Sequence, residues 1–319
     1  MKIAIISFNN AVMTSVYGSY EIFAQVNMLL STFRPDLPNP GLYPEIVDAN
    51  KLDTKTSFDM VILPAMHFHA IEEVIASNAH LIEWLKKHHE KGGEIASICL
   101  GAFLLASTGL INYKIATTHW MGAEKFKLMF PNVDLVDDKI VTEQNRIYCS
   151  GGAYSFTTLI IYLIEKIFGE EAAILIAKVF LIHLHDGKQD SFKILNLQKS
   201  HNNEKIKIAQ NFIEHNYHKK ITLEELSTMS NMSLRNFMRV FNKTTGDTPN
   251  AYIQKVRVEK AKKTLECSNL TFEQICLNVG YTDYASFRRL FKKKVGQTPS
   301  EYRKKYQRIF TEANSALKY

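Results

Sequence analysis

Only four cysteines stand in the 319-residue chain, Cys99, Cys149, Cys267 and Cys276, and their spacing is not that of metal ligands. Nothing in it resembles a disulfide framework, and no metal or cofactor is expected. Long apolar runs are missing too. The longest, Leu159–Ile164 and Ala172–Leu184, are short or broken by Lys178, so no membrane span is expected. The opening MKIAIISF has neither the apolar length nor the cleavage pattern of a signal peptide. A reducing cytoplasm is the expected compartment. Acidic residues are scarce in one part only. Residues 1–199 carry 17 Lys and Arg against 21 Asp and Glu, whereas residues 200–319 carry 22 against 11. The basic surplus therefore belongs to the C-terminal part, as expected if only that part meets a polyanion. A basic tail would split the charge likewise, but this part is periodic and apolar enough to fold. The length leaves room for two domains.

What is present, from Ile221 to Tyr302, is one pattern written twice. Phe237, Phe241, Gly246, Thr248, Pro249 and Tyr252 recur in order as Phe287, Phe291, Gly296, Thr298, Pro299 and Tyr302. An internal repeat of this kind governs the architecture. Each copy reads as two helices and a turn. Thr222 with Glu225, and Thr271 with Gln274, have capping-box spacing. The second helix opens at Ser233 or Asp283 and closes at Gly246 or Gly296, residues suited to the N-cap and to a left-handed end. A third helix opens at Thr-Pro, with proline at the first position.

The second helix of each copy is amphipathic and basic. Phe237 and Phe241 share a face, as do Phe287 and Phe291. Arg235, Arg239 and Lys243 fall together by i, i+4 spacing, and Arg288, Arg289, Lys292 and Lys293 make the matching surface. An aromatic side to seat the helix and a cationic side for phosphates and guanine edges are what a recognition helix in a major groove needs. A solvated basic face on an ordinary bundle would look alike in one copy; two copies at fixed spacing favour double-stranded DNA. Between them, Pro249–Glu266 reads as one helix of 18 residues, which at about 1.5 Å each spans roughly 27 Å. A rod of that length could hold two recognition helices about one DNA turn, near 34 Å, apart.

The string GYTDYASFRRLFKKKVGQTPSEYR over residues 280–303 resembles the closing pattern of the AraC/XylS family of transcription regulators. The resemblance covers about residues 205–305. It implies a sequence-specific DNA-binding regulator with two helix-turn-helix units. Carried over by position, base contacts fall near Arg235, Met238 and Arg239 in the first unit. In the second they fall near Tyr284, Ala285, Arg288 and Arg289. Arg239 and Arg289 are the candidates for guanine, and Lys243 and Lys292 for phosphate.

The N-terminal part alternates strands and helices. Lys2–Phe8, Tyr43–Val47, Met60–Leu63 and Glu94–Ile98 read as strands, Tyr17–Leu30 and Asn78–Lys91 as helices. That alternation argues for a parallel sheet sandwiched by helices. Lys139–Thr142 and Arg146–Cys149 suggest a hairpin turned at 143–145. Gly152–Phe168 and Glu170–His185 read as two closing helices. The expected division is a domain at 1–185, a polar linker at 186–204, an all-α domain at 205–306 and a tail at 307–319.

One stretch could carry chemistry. Glu94–Ile98 runs into Cys99 and then directly into a helix, with Gly101 two residues on, the layout of a nucleophile elbow. A thiol at a helix N-terminus would have its thiolate stabilised by the dipole. His119, twenty residues later, could supply an imidazole. A packing thiol and a structural histidine fit the same residues.

The strings ASICLGAFLLASTGL over 96–110, ATTHW over 116–120 and SGG over 150–152 resemble the class I glutamine amidotransferase-like fold. The match is to its PfpI-type branch, often fused to AraC-type DNA-binding domains. The resemblance covers residues 1 to about 185. In the enzymes of this superfamily the elbow cysteine works with an acid on the first helix and often a histidine. By position that acid falls at Ser15, and an aspartate common in the fused branch falls at Thr158, neither of which is a carboxylate. Cys99 and His119 thus stand without acidic partners, and no catalysis is expected of them. They are expected, with Leu100, to line a crevice at the carboxyl ends of the strands. That crevice would take a small-molecule effector, nitrogenous in related fused regulators. The resemblances also imply a homodimer, and contact with RNA polymerase if the protein is an activator. Two readings stay open beside this one: a Cys99-dependent hydrolase, hydratase or glyoxalase-like enzyme that also binds DNA, and a constitutive regulator whose N-terminal domain only dimerises.

Overall fold

The computed structural model describes residues 1–52, 57–182 and 201–307. The chain falls into two compact units, Met1–Gln189 and Asp190–Tyr319.

The first unit runs β1 (Lys2–Ser7), α1 (Met13–Phe33), β2 (Tyr43–Asp48), β3 (Met60–Leu63), α2 (Ile71–Ser77), α3 (Ala79–Glu90), β4 (Glu94–Ile98), α4 (Gly101–Ser107), β5 (Ile115–Ala116), α5 (Ala123–Met129), β6 (Asp134–Leu135), β7 (Val141–Gln144), β8 (Ile147–Ser150), α6 (Phe156–Phe168) and α7 (Glu170–Val179). The main sheet has the order β2-β1-β3-β4-β8-β7. Its first five strands are parallel, and only β7 pairs antiparallel, at the edge. Ile3, Ile5 and Ile6 of β1 and Val61, Ile62 and Leu63 of β3 are fully buried, the pattern of central strands covered on both faces. α1, α6 and α7 pack together as one group, α2, α3 and α4 as another. The expected sandwich of helices about a parallel sheet is therefore present.

Several local expectations need correction. α1 begins four residues before Tyr17, at Met13, and its N-cap residue, Val12, offers no side-chain cap. Its start carries no capping signal. The hairpin is shifted: β7 runs to Gln144 and β8 starts at Ile147, so the turn is Asn145–Arg146. Both turn residues have positive φ, 51° and 61°, as a two-residue type I′ loop demands. Helix α6 starts at Phe156, after a single 3-10 turn at Ala153–Ser155. Helix α7 stops at Val179, and the end of the expected helix, from 183, lies outside the described residues. So do the expected linker up to residue 200 and the tail beyond Gln307.

The second unit is all helical: α8 (Glu204–Asn216), α9 (Leu223–Met229), α10 (Leu234–Thr245), α11 (Pro249–Cys267), α12 (Phe272–Asn278), α13 (Tyr284–Val295) and α14 (Pro299–Tyr306). It holds two small cores. Phe237, Phe241 and Tyr252 pack with Ile206, Ala209 and Ile213 of α8. Phe287, Phe291 and Tyr302 pack with Val258, Ala261 and Leu265 of α11. Helix α11 thus closes the first copy and supplies the floor of the second. The first copy's floor, α8, has no earlier helix of the repeat to announce it. Gly246 and Gly296 end α10 and α13 with φ of 73° and 79°. The caps are less symmetrical than their spacing predicts. Thr271 with Gln274 forms the full capping box, whereas Thr222 accepts from Glu225 N and no reciprocal bond forms. Asp283 caps α13 through Ser286 N, but the Ser233 side chain makes no cap bond.

Candidate nucleic-acid interface

Each recognition helix is seated by its two phenylalanines, which are fully buried. Phe241 meets Tyr252 edge-on at 5.6 Å, and Phe291 meets Tyr302 at 5.7 Å. With that face pinned, the opposite face must point outward. On α10 it presents Arg235, Met238, Arg239 and Lys243, all exposed. On α13 it presents Ala285, Arg288, Arg289 and Lys292, all exposed, whereas Tyr284, half-buried at the first turn, packs against the second core.

These candidates are not equally available. Arg289 and Lys292 lie opposite the buried pair, as do Arg239 and Lys243. The Arg239 guanidinium donates to Asn236 Oδ1 at 2.9 Å, so the two groups form one donor-rich surface able to read a base edge. The charge pattern does not single out Asn236; its i, i+3 spacing to Arg239 is the signal the sequence carries. Arg288 is turned aside. Its guanidinium lies over the Phe272 ring at 5.2 Å and stands 3.6 Å from Glu273 Oε1. Both partners belong to α12, so Arg288 ties the two helices of its own unit together.

The elbow in the first unit has the expected backbone. Cys99 sits between β4 and α4 with φ of 56°, a left-handed conformation that costs a non-glycine residue on the order of 1–2 kcal/mol. Gly101 is required behind it, because an added Cβ would lie 2.5 Å from Pro64 O. The chemistry differs from the dipole expectation. The Cys99 side chain is buried, and burial pushes its thiol up to about 12, with the Leu100 N–H acting in the opposite direction. Desolvation outweighs the backbone donor here. His119 is lowered by burial, and its Nδ1 accepts from Met121 N at 3.0 Å. Among the described residues no hydrogen bond joins Cys99 to His119. Thr118 Oγ1 donates instead to Cys99 O at 2.9 Å. Leu100 is buried, and its side chain packs where a Cβ on Gly122 would stand.

Ser15, at the place of the expected acid, is also committed. Its hydroxyl donates to Val12 O at 2.7 Å and accepts from Ala65 N at 3.0 Å. It pins the start of α1 to the loop after β3. Thr158 lies on α6 and is half-buried. Among the described residues no three His, Cys, Asp or Glu side chains could hold a metal ion. No helix there is long and apolar enough to cross a membrane.

Comparison with known proteins separates the same two parts. Residues 42–166 match the DJ-1/PfpI family, and residues 226–305 match a helix-turn-helix domain of AraC type. The chain is similar to the HTH-type transcriptional regulator CdhR of Pseudomonas aeruginosa, 24% identical over 217 residues, 68% of this chain and 64% of CdhR. It is similar as well to the regulator GbdR of the same species, 24% identical over 207 residues, 65% of this chain and 56% of GbdR. The match thus spans less than two thirds of either relative. Among solved structures, Drosophila melanogaster DJ-1beta is 18% identical and covers 57% of this chain and 98% of its own, with a TM-score of 0.45.

Proposed function

From a chain that joins a DJ-1/PfpI-family domain to an AraC-type helix-turn-helix domain, we propose a sequence-specific transcription regulator that reads two successive major grooves of double-stranded DNA. The observation that carries this is the repeat. Two helices of one pattern, each seated on a buried phenylalanine pair, present Arg239 with Lys243 and Arg289 with Lys292 to solvent. Arg239 and Arg289 read guanine edges; Lys243 and Lys292 neutralise phosphates. Arg235, Met238, Tyr284 and Ala285 complete the base-facing surface, with Arg288 in a bracing position.

The first unit serves as a sensor. Cys99, Leu100 and His119 gather at the carboxyl end of β4, where open α/β sheets take ligands. The effector is a small metabolite and the assembly a homodimer, with RNA polymerase a further partner if the protein activates. The cytoplasm is its compartment. The left-handed elbow at Cys99 favours a second reading, a Cys-dependent hydrolase, hydratase or glyoxalase-like enzyme. The buried, protonated thiol and the serine at the acid's position count against it. The test is genomic binding by the full-length protein followed by a salt titration on the recovered sites. Peaks sharing a two-box motif support the regulator. Turnover by the purified protein that Cys99→Ser abolishes supports the enzyme.

A further inference from the structure

A long helix between two recognition helices fixes their separation only if both copies are anchored to it in rotation as well as along its axis. The anchor is visible at Arg257, in the middle of α11. Its Nε donates to Tyr217 O at 2.8 Å and its Nη2 to Lys219 O at 2.8 Å. Both carbonyls lie in the segment between α8 and α9, so Arg257 grips the entrance to the first helix-turn-helix. The other side of the same guanidinium lies over the Tyr281 ring, 5.1 Å from its centre. Tyr281 is in the turn of the second helix-turn-helix and packs on Phe287 of α13 at 4.4 Å.

Two neighbours reinforce the junction. Tyr217 packs against both small cores, and the Lys260 ammonium lies 5.1 Å from its ring centre. Gly280, at φ of 80°, lets the turn of the second copy approach so closely that an added Cβ would stand 2.7 Å from His218 O.

The repeat supplies its own control. The position matching Arg257 in the second copy is Gln307. Its Nε2 donates to Ser268 O at 3.1 Å and to Asn269 Oδ1 at 2.7 Å. It grips the entrance to the second helix-turn-helix as Arg257 grips the first. There the amide works beside the Arg303 guanidinium, which donates to Leu270 O in the same segment, and neither reaches the other copy. The Arg257 guanidinium does more, because its planar fork spans two carbonyls while its face stacks on an aromatic ring.

We propose that Arg257 is a specificity-determining residue for two-box DNA, setting the spacing and phase of α10 and α13 although it lies on neither. The inference rests on the proposed reading of DNA by both helices. Two linked binding modules gain over one only when their geometry matches the two sites, and a stiff junction sharpens that match.

The test uses the full-length protein and Arg257→Gln, the residue its own repeat employs. The probes are duplexes with a two-box site recovered by random-sequence selection, the same site with one or two base pairs inserted or removed between boxes, and the site with one box scrambled. The wild type is expected to lose about tenfold or more in affinity at altered spacings. Arg257→Gln is expected to bind the scrambled-box probe within about twofold of wild type, while its preference among spacings shrinks to about threefold. Tyr281→Leu removes the contact from the other side and should flatten the preference as well. Wild-type spacing preference in both variants overturns the proposal. So does an equal loss on one-box and two-box probes, which would make Arg257 a residue of folding alone. A wild type indifferent to spacing and sequence instead defeats the reading of the DNA interface itself, before any variant is compared.

Discussion

The Tyr252 hydroxyl donates to Glu214 Oε1 at 2.8 Å, joining α11 to α8. The second copy repeats the bond from Tyr302 to Glu266 Oε1 at 2.6 Å, joining α14 to α11. Burial, and then the carboxylate, push both hydroxyls above the usual tyrosine range. A hydrogen bond to a charged group contributes about 1.5–3 kcal/mol. Tyr252→Phe should therefore lower the stability of the helical unit by an amount near the bottom of that range, since the ring still fills its place. Urea unfolding of that unit measures it, and a midpoint unchanged from wild type would refute the bond's role.

The base-facing and phosphate-facing residues should separate cleanly in binding assays. Arg239→Ala or Arg289→Ala is expected to cost about 1–3 kcal/mol on the recovered site and to relax discrimination at one base position. Lys243→Ala or Lys292→Ala should weaken all sequences alike and reduce the salt slope by about 1. Arg288→Ala should behave differently from both, with lowered stability of the unit, because Arg288 rests on Phe272 and Glu273.

The buried Cys99 thiol gives a pH signature. Its folded value of about 12 lies above the ordinary 9.0, so the folded state holds this proton more tightly than the unfolded chain. The sign follows from linkage: the contribution is fully present below about pH 9 and is lost as pH rises toward about 12. Cys99→Ser should lose less stability than wild type over that window, read from denaturant midpoints. At neutral pH the native thiol should react with iodoacetamide far more slowly than a free cysteine. Rapid alkylation would contradict the burial and revive the enzyme reading.

Gly101→Ala should be costly. The added methyl meets the backbone carbonyls of Pro64 at 2.5 Å and Leu63 at 3.0 Å, atoms that cannot swing aside. Overpacking of this kind costs about 1–3 kcal/mol, so the thermal midpoint of the first unit should fall. A neutral result would mean that the elbow has slack.

Much of this was legible in the sequence. The repeat from Phe237 to Tyr302 announced the helical unit, because each aromatic that recurs is one that a core needs. Ile3–Ile6 and Val61–Leu63 announced buried parallel strands by lacking alternation. Other features leave no such trace. Helix α1 starts after Val12 without a polar cap. Asn145–Arg146 adopts a type I′ turn without the glycine that normally marks one. The thiol of Cys99 follows its burial, which spacing does not report, and the helix after it is only one short element of seven residues. The orientation of Arg288 depends on Phe272 and Glu273, fifteen or more residues away, and is set by packing. Arg257 reads in sequence as one more charge on a basic helix; its two carbonyl partners lie about forty residues earlier and appear only when the chain is folded.

The most direct measurement of the central claim is a hydroxyl-radical footprint of the full-length protein on a recovered site, with Arg239→Ala and Arg289→Ala alongside. The account predicts two protected stretches on one face of the duplex, about one helical turn apart, with each variant losing contact at its own stretch. Uniform protection without a register, unchanged by both variants, would contradict it.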